Sequence, residues 1–393
     1  MISALAVTYE VDDMQAAASD LALQINNKLK LLSNSIGILL AEDESEPAEL
    51  LPALQERLGI DIIGCTVTAQ ISSRGYHRLS NSLLVLSADD CKFASSVSTV
   101  LDDNFAQQIT ATFNDAQAKL QGEEVQAVFL FTTGSQYFTP DDILAVINGL
   151  APGKPIFGGS AGDYFQFANE RVLAGGNEYR HSMVILLISG NIRPKFIIRN
   201  IPRSSLATSI VTRAQGGRVE TIDNMTVYEY MKLRDVDVEQ DLSLYYAPLS
   251  VEYNDSAEYD GEPVCRPFYT LDRESGAAIS HGKIPQGSSV SLRVIAQEDI
   301  IKTTREAIGY IADQALQPCD GYRYSTIFGV TCAVRHMVLG LEHTFEGELA
   351  KELLPPDITF AGFYAYGEYC PTSVRMGKAH NKAHNLSIAL CLF

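Results

Sequence analysis

Hydrophobic positions near the start of the chain recur with the spacing of a helix and then form short continuous runs. After "VDD", apolar residues follow at steps of three and four, and Asp12 or Asp13 is placed to cap the helix; these residues are Met14, Ala17, Leu21, Ile25 and Leu29. The run "SIGILLA" then predicts a strand, "PAELLPALQERL" a helix and "IDIIG" a second strand. The chain is therefore expected to begin with a helix followed by a strand–helix–strand unit.

The same order recurs twice. "AVFLFTTG", "TPDDILAVINGL" and "KPIFGGSAGDYF" form a second copy, in which Thr139 or Asp141 opens the helix; "YSTIFGVTC", "FEGELAKELL" and "ITFAGFYAYGEY" form a third. Each copy ends at a glycine with a polar residue a few positions later, and the pairs are Gly64 with Gln70, Gly158 with Asp163, and Gly362 with Glu368. A further apolar strand follows each pair. The pattern predicts three copies of one unit.

Between the second and third copies, "ATSIVTRAQGGRVETIDN" predicts a hairpin turned at Gly216 and Gly217. We place a domain boundary before it, which gives domains 1–206 and 207–393. "EDIIKTTREAIGYIADQAL" predicts a long amphipathic helix. The predicted fold class is mixed α/β: two related halves of repeated strand–helix–strand units, with mixed β-sheets packed together and helices on the outer faces.

The net charge limits the partners that the protein can bind, and the cysteine usage indicates the cellular compartment. The net charge of −18 repels nucleic acid and anionic lipid, and no basic patch offsets it, so we expect neither a nucleic-acid nor a membrane partner. The longest apolar run, "MVILLI", is far shorter than the roughly 20 residues of a membrane helix. The seven cysteines are scattered and the N-terminus has no signal-peptide pattern, so a cytoplasmic protein with reduced thiols is expected.

The stretch "GGSAGD" is a candidate binding turn. Gly158 and Gly159 would leave backbone N–H groups uncovered for an anion or carboxylate, while the Ser160 hydroxyl and the Asp163 carboxylate would receive an ammonium group. The alternative is a turn that needs glycine for backbone reasons alone, and the threefold recurrence supports both interpretations equally. Phosphate-loop spacing and its lysine are absent.

Several other residues offer chemistry. Cys332 stands at a predicted strand end, where Arg335 would lower the pKa of its thiol and favour a nucleophilic thiolate. The alternative is that Cys332 is a buried residue that only packs. Arg335 also suits a carboxylate clamp, because a guanidinium binds carboxylate through two hydrogen bonds. Cys65 and Thr66 either line a pocket or pack. Arg266 is predicted either to face inward or to lie in solvent at the rim of the site.

Histidine spacing does not predict a metal site. His380 and His384 are four residues apart, but "HNKAHNLSIALCLF" indicates a loop entering a strand rather than a helix, and no acidic ligand stands between His336 and His343. We expect no metal and no cofactor.

Six stretches in order resemble the FIST family, the F-box and intracellular signal transduction proteins. They are "DIIGCTVTAQI", "PIFGGSAGDYF", "CRPFYTLDRESGAAISHGKIPQGSSV", "GVTCAVR", "AGFYAYGEYCP" and "HNLSIAL". The resemblance spans nearly the whole chain and implies a stand-alone protein with FIST N and FIST C domains. It further implies a sensory module, often bacterial, that binds a small ligand such as an amino acid and acts with a signalling protein partner. The first copy departs from the family pattern, because Ala69 and Gln70 stand where glycine and an acid are commoner.

These observations combine into one hypothesis. An amino acid or related small carboxylate binds between the halves, with Asp163 and Glu368 holding its cation and Arg266 or Arg335 its carboxylate; one of the alternating Tyr364 and Tyr366 reaches the site. The predicted ligand-binding residues are Cys65, Thr66, Gly158, Gly159, Ser160, Asp163, Arg266, Cys332, Arg335, Tyr364, Gly367, Glu368 and His384. The alternatives are a cysteine-dependent hydrolase that uses Cys332 or Cys65, and a scaffold that binds only proteins.

Overall fold

The computed structural model describes residues 1–135, 137–202, 208–253, 262–317 and 321–393. Three units of the same topology and one inserted domain account for its elements. The first unit contains β1 (Ile2–Thr8), α1 (Met14–Lys28), β2 (Asn34–Glu42), α2 (Pro47–Leu58), β3 (Asp61–Val67), β4 (Gln70–Ser72), β5 (Gly75–His77) and β6 (Asn81–Ala88). The second contains β7 (Cys91–Val97), α3 (Phe105–Lys119), β8 (Val125–Thr132), α4 (Pro140–Leu150), β9 (Ile156–Ser160), β10 (Val172–Ala174), β11 (Asn177–Tyr179) and β12 (Met183–Gly190).

The third unit begins at β13 (Lys195–Arg199) and is interrupted by the inserted domain. This domain contains β14 (Ser209–Gln215), β15 (Arg218–Ile222), β16 (Met225–Thr226), α5 (Val227–Lys232), α6 (Asp241–Tyr246), β17 (Leu249–Glu252), β18 (Val264–Arg266), β19 (Phe268–Leu271), β20 (Ala278–Ser280) and β21 (Ser289–Leu292). The unit resumes with α7 (Gln297–Ala315), β22 (Thr326–Cys332), α8 (Ala333–Leu339), a 3₁₀ turn (Gly340–Glu342), α9 (Phe345–Leu353), β23 (Thr359–Ala365), β24 (Glu368–Arg375), β25 (Lys378–His384) and β26 (Ile388–Leu392).

Each unit builds the same four-stranded arrangement. In the first, the order is β1-β6-β2-β3 with β2 and β3 parallel, and the equivalents are β7-β12-β8-β9 and β13-β26-β22-β23. The predicted threefold strand–helix–strand repeat and the mixed α/β class are confirmed. The predicted hairpin at Gly216 and Gly217 is confirmed as β14–β15.

The units exchange hairpins in a cycle. The hairpin β4–β5 of the first unit pairs with β23 of the third, β24–β25 of the third pairs with β9 of the second, and β10–β11 of the second pairs with β3 of the first. His380 and His384 therefore lie on a strand of an exchanged hairpin, and the prediction of a loop there is wrong. Because each sheet is completed by another unit, the three sheets are tied into one body.

The inner faces of the three sheets share one apolar core. Phe129 of the second unit packs on Phe328 of the third with ring centroids 6.2 Å apart, and Ile38 and Ile63 of the first unit belong to the same cluster. The helices cover the outer faces, α1 and α2 on one sheet, α3 and α4 on another, α7 and α9 on the third. Among the described residues, no helix is long and apolar enough to cross a membrane.

Local signals explain where helices begin. Asp13 caps α1 by accepting hydrogen bonds from the amides of Gln15 and Ala16 at 3.0 and 2.9 Å. Thr139 and Asp142 form a reciprocal capping box before α4, in which the Thr139 amide donates to Asp142 at 2.8 Å. This capping box fixes the start of α4, the helix that borders the cleft described below.

Candidate functional site

The recurring glycines are explained by a close approach of two strands. Each lies on the second parallel strand of its unit, opposite an equivalent residue; the register pairs are Gly64 with Leu39, Gly158 with Leu130, and Gly362 with Gly329. A methyl group on Gly158 would stand 1.9 Å from the carbonyl oxygen of Leu130, and one on Gly64 would stand 1.8 Å from that of Leu39. Only glycine fits these positions without moving the backbone.

The amides that follow Gly158 are engaged inside the protein. Ser160 N donates to the carbonyl oxygen of Gly367 at 2.9 Å, and Gly162 N donates to that of Thr66 at 2.9 Å. The other two units contain hydrogen bonds that correspond to this Ser160–Gly367 bond. Thr66 N donates to the carbonyl oxygen of Arg171, and Tyr364 N donates to that of Ala69. The hypothesis that this turn presents uncovered N–H groups to an anion is therefore wrong for these amides. Gly159 is likewise enclosed, since a methyl group there would meet Val330 at 2.7 Å.

In the first unit the strand ends are closed by side chains. Cys65 and Thr66 are fully buried, and Thr66 Oγ1 accepts a hydrogen bond from Arg171 N at 3.0 Å. The Arg171 guanidinium pairs with Glu178 at 3.1 Å and donates to the carbonyl oxygen of Asp43.

In the third unit a buried ion pair closes the equivalent place. Arg335 and Glu346 are both fully buried, with Nη2 and Oε1 2.7 Å apart. The remaining Arg335 N–H groups donate to Thr303 and Thr304, at 3.0 and 2.8 Å. Tyr364 is also fully buried. The guanidinium joins α7, α8 and α9, and buried groups of these helices accept its hydrogen bonds.

The two candidate nucleophilic thiols lie in environments that oppose ionisation. Burial raises the pKa of Cys332 and of Cys65 well above the usual range of a thiol. Both side chains therefore remain protonated near neutral pH, whereas a nucleophilic cysteine needs a lowered pKa.

Glu368 and His384 belong to the hydrogen-bond network inside the third unit, whereas the Gly367 carbonyl oxygen accepts from Ser160 N of the second unit. Glu368 Oε2 accepts from Ser387 N and Ser387 Oγ at 3.1 and 2.6 Å, and burial raises the pKa of this carboxyl to about 8. His384 is the register partner of Glu368 on β25, and its Nε2 lies 3.3 Å from the carbonyl oxygen of Cys370.

Arg266 connects three parts of the molecule. Its fully buried guanidinium pairs with Asp141 of α4 at 2.8 Å and donates to Tyr253 of the inserted domain at 2.8 Å. It also donates to Asn385 of the third unit at 3.1 Å. These bonds occupy it as a structural connector.

The strand ends of the second unit open into a cleft of about 1390 Å³ against the inserted domain. Three hydroxyl groups form the floor: Thr132 Oγ1 lies 3.0 Å from Ser160 Oγ and 3.2 Å from the Tyr369 hydroxyl. The walls come from residues 100–102, 133–135, 137–140 and 142–143, from loop 161–171, and from residues 215–218 and 269–281 of the inserted domain. Ser160 of the predicted set lines this cleft, as does Tyr366.

An aromatic wall, made of Phe167, Tyr366, His281, Tyr245 and Tyr269, joins loop 161–171 to the inserted domain along the cleft. Phe167 and Tyr366 stack with centroids 4.5 Å apart, and Tyr269 and His281 approach equally closely at 4.5 Å. Burial, together with Arg266, lowers the pKa of His281 to about 4, so this ring is neutral near pH 7.

Asp163 shapes the loop rather than facing the cleft. Its carboxylate accepts hydrogen bonds from the amides of Phe167, Ala168 and Asn169 at 2.9, 2.7 and 2.7 Å, and from the Tyr366 hydroxyl at 2.5 Å. Burial alone opposes ionisation, but these donors lower the pKa of Asp163. Three loop residues carry positive φ angles, namely Tyr164, Phe165 and Phe167 at 52°, 65° and 52°. Such strain often accompanies a functional segment.

Sequence reasoning missed Glu170, Phe167 and His281. Glu170 lines the cleft, its carboxylate accepts a hydrogen bond from Gly134 N, and burial raises its pKa to about 7. All three lie in loops or at a strand end, where hydrophobic periodicity gives no signal. The aromatic-rich "YFQF" directly after "GGSAGD" is the one sequence feature that points to this wall.

Comparison with known proteins gives two family matches. The family model for the FIST N domain matches residues 35–225, and that for the FIST C domain matches residues 225–371. No curated protein matches the chain. Among solved structures, one described as "Cyanuric acid hydrolase: evolutionary innovation by structural concatenation" aligns over 100% of this chain and 99% of its own, with 10% identity and a TM-score of 0.28.

Proposed function

The chain belongs to the FIST family, and we propose that it is a cytoplasmic sensory protein that binds an amino acid or related small carboxylate and signals to a protein partner. FIST domains are associated with signal transduction and sensory ligand binding. The cleft between the second unit and the inserted domain carries the proposal. Its volume exceeds the roughly 300–1,000 Å³ usual for small-molecule sites.

The lining of the cleft suits a small polar ligand with an apolar part. Hydroxyl groups of Thr132, Ser160 and Tyr369 offer hydrogen bonds at the floor, and the aromatic wall offers an apolar face. Arg180 and Glu170 add one group of each charge to the lining. Two walls belong to different domains, so a ligand that contacts both would favour one relative position of the domains, which is how binding becomes a signal.

The test is a panel of the twenty amino acids and short carboxylates, measured by thermal shift and then by isothermal titration calorimetry. Ala168→Trp places a large side chain into the cleft from an exposed position, and Ala16→Trp, on the exposed face of α1, is the matched control. We expect binding to wild type and the control, and at least tenfold weaker binding to Ala168→Trp. Absence of any binding across the panel, or equal binding to Ala168→Trp, contradicts the proposal.

A further inference from the structure

Glu170 is an acidic group in the lining of the cleft. Across the described ranges, no lysine, arginine or histidine forms an ion pair with it, whereas Asp142 in the same lining pairs with Lys283 at 2.6 Å. An unpaired carboxylate in a partly dry site is electrostatically unfavourable. Among the described residues, therefore, no basic side chain compensates the charge of Glu170.

The position of this carboxylate is fixed. Its Oε2 accepts a hydrogen bond from Gly134 N, and a methyl group on Gly134 would stand 3.1 Å from Oε2 and 3.4 Å from Oε1. Both oxygens thus lie against the segment that follows β8. Burial raises the pKa of Glu170 to about 7, and the nearby charge of Asp163 acts in the same direction. A ligand cation would remove the penalty that these two effects create.

The same loop presents an aromatic face. Phe167 lies three residues before Glu170, is 43% exposed, and is held by its stacking on Tyr366. The Tyr366 hydroxyl is in turn bound to Asp163 at 2.5 Å. A cation that approaches a carboxylate beside an aromatic face gains from both, because the ring quadrupole attracts positive charge.

We propose that Glu170 and the ring of Phe167 form the subsite for the ammonium group of the ligand, an inference that rests on the proposed function. The ligand class is then an amine or an amino acid, and not a carboxylate that lacks an amine. A single carboxylate with hydroxyl and aromatic neighbours suits an ammonium ion better than a metal. Within the described part of the chain, no cluster of three or more His, Cys, Asp or Glu residues is placed to hold a metal.

Two matched sets of probes test the assignment by calorimetry at pH 8, which lies above the raised pKa of Glu170 of about 7. The first set is L-phenylalanine, phenethylamine and 3-phenylpropanoate; the second is L-alanine, ethylamine and propanoate. In each set the carbon skeleton is similar and the charged groups differ. We expect the amine-bearing probes of at least one set to bind at least tenfold more tightly than the corresponding carboxylate.

Glu170→Gln is the informative variant, because the amide oxygen still accepts the hydrogen bond from Gly134 N while the charge is removed. We expect it to weaken the amine-bearing probes at least tenfold and to leave the carboxylates unchanged or slightly tighter. Asp115→Asn, which removes an exposed acid of α3 that is not part of the cleft lining, is expected to change binding less than threefold. Circular dichroism and thermal melting establish that both variants are folded.

The outcomes separate the two proposals. If carboxylates bind and no amine-bearing probe binds more tightly, the ammonium subsite is overturned while the sensor proposal stands. Equal losses in Glu170→Gln and Asp115→Asn, or no loss in Glu170→Gln, also overturn the subsite. If no probe binds and no compound of the panel of amino acids and short carboxylates binds, both the sensor proposal and the ammonium subsite fail.

Discussion

Arg266 of the inserted domain and Asp141 of α4 form an ion pair of 2.8 Å in which the arginine side chain is fully buried. Lys283 strengthens the same connection, since its Nζ lies 2.6 Å from Asp142 and its amide donates to Asp141 at 2.8 Å. The helix that receives these contacts begins at the edge of the cleft. The relative position of two cleft walls therefore depends on this pair.

Replacing Arg266 with methionine is expected to lower the free energy of unfolding by about 2–4 kcal/mol, because it leaves Asp141 without its partner at a buried interface. Urea denaturation followed by circular dichroism measures the change. Arg273→Met is the control, since Arg273 pairs with Glu239 in an exposed position and should contribute less than about 1 kcal/mol. Equal stability of the two variants would show that the Arg266 contacts do not hold the domains together.

The repeated units were predictable because their signals are local. Hydrophobic runs mark the strands, and Thr139, one of the two residues expected to open the helix, is the N-cap of α4. Gly158 was recognisable from its recurrence, although the reason for it, contact with the Leu130 carbonyl across a parallel pair, requires the register of the two strands.

The cleft was not predictable from the same signals. Its aromatic wall combines Phe167 with His281, which are more than 100 residues apart in the chain and belong to different domains. The acids singled out by recurrence, Asp163 and Glu368, are satisfied by loop amides and by Ser387, and periodicity does not reveal such partners. The exchange of hairpins between units could not be predicted either. The three sheets are similar, so the sequence does not indicate which of them each hairpin joins.

Substitution of the recurring glycines Gly64 and Gly158 tests the explanation that two parallel strands approach closely at these positions. Gly158→Ala would bring a methyl group to 1.9 Å from the Leu130 oxygen, so the parallel strands must separate. We expect a loss of more than about 3 kcal/mol in unfolding free energy, or failure to fold, and the same for Gly64→Ala.

Gly149→Ala provides the matched control within α4. A methyl group on Gly149 would have no atom within 4 Å apart from the helix backbone and the chain neighbours, and alanine is the better helix former. We expect this variant to gain roughly 0.5–1 kcal/mol. Thermal and urea denaturation of the three variants, side by side, measures the contrast. A Gly158→Ala protein as stable as Gly149→Ala would refute the close-approach explanation.

The buried carboxyl of Glu368 gives the protein a pH-dependent component of stability. Its pKa is about 8 in the folded protein because burial disfavours the charged form, compared with about 4.5 for an ordinary glutamate. Between these values the folded state holds a proton that the unfolded state releases, so unfolding becomes easier as pH rises. The contribution is fully present below about pH 4.5 and is lost as pH rises toward 8. Its slope is at most about 1.4 kcal/mol per pH unit.

Glu368→Gln removes this ionisation and keeps an oxygen to accept the hydrogen bonds from Ser387. The unfolding free energy of wild type, relative to Glu368→Gln, should therefore fall between pH 5 and pH 8 by an amount on the order of a few kcal/mol. Glu239→Gln is the control, because Glu239 is exposed and its replacement should leave the pH profile unchanged. Glu42 and Glu170 also have raised pKa values, so the comparison must be the difference between wild type and variant, not the wild-type slope alone. A difference that stays constant across this range, or that grows in favour of wild type at high pH, would mean that Glu368 is ionised in the folded protein and that its pKa is not raised.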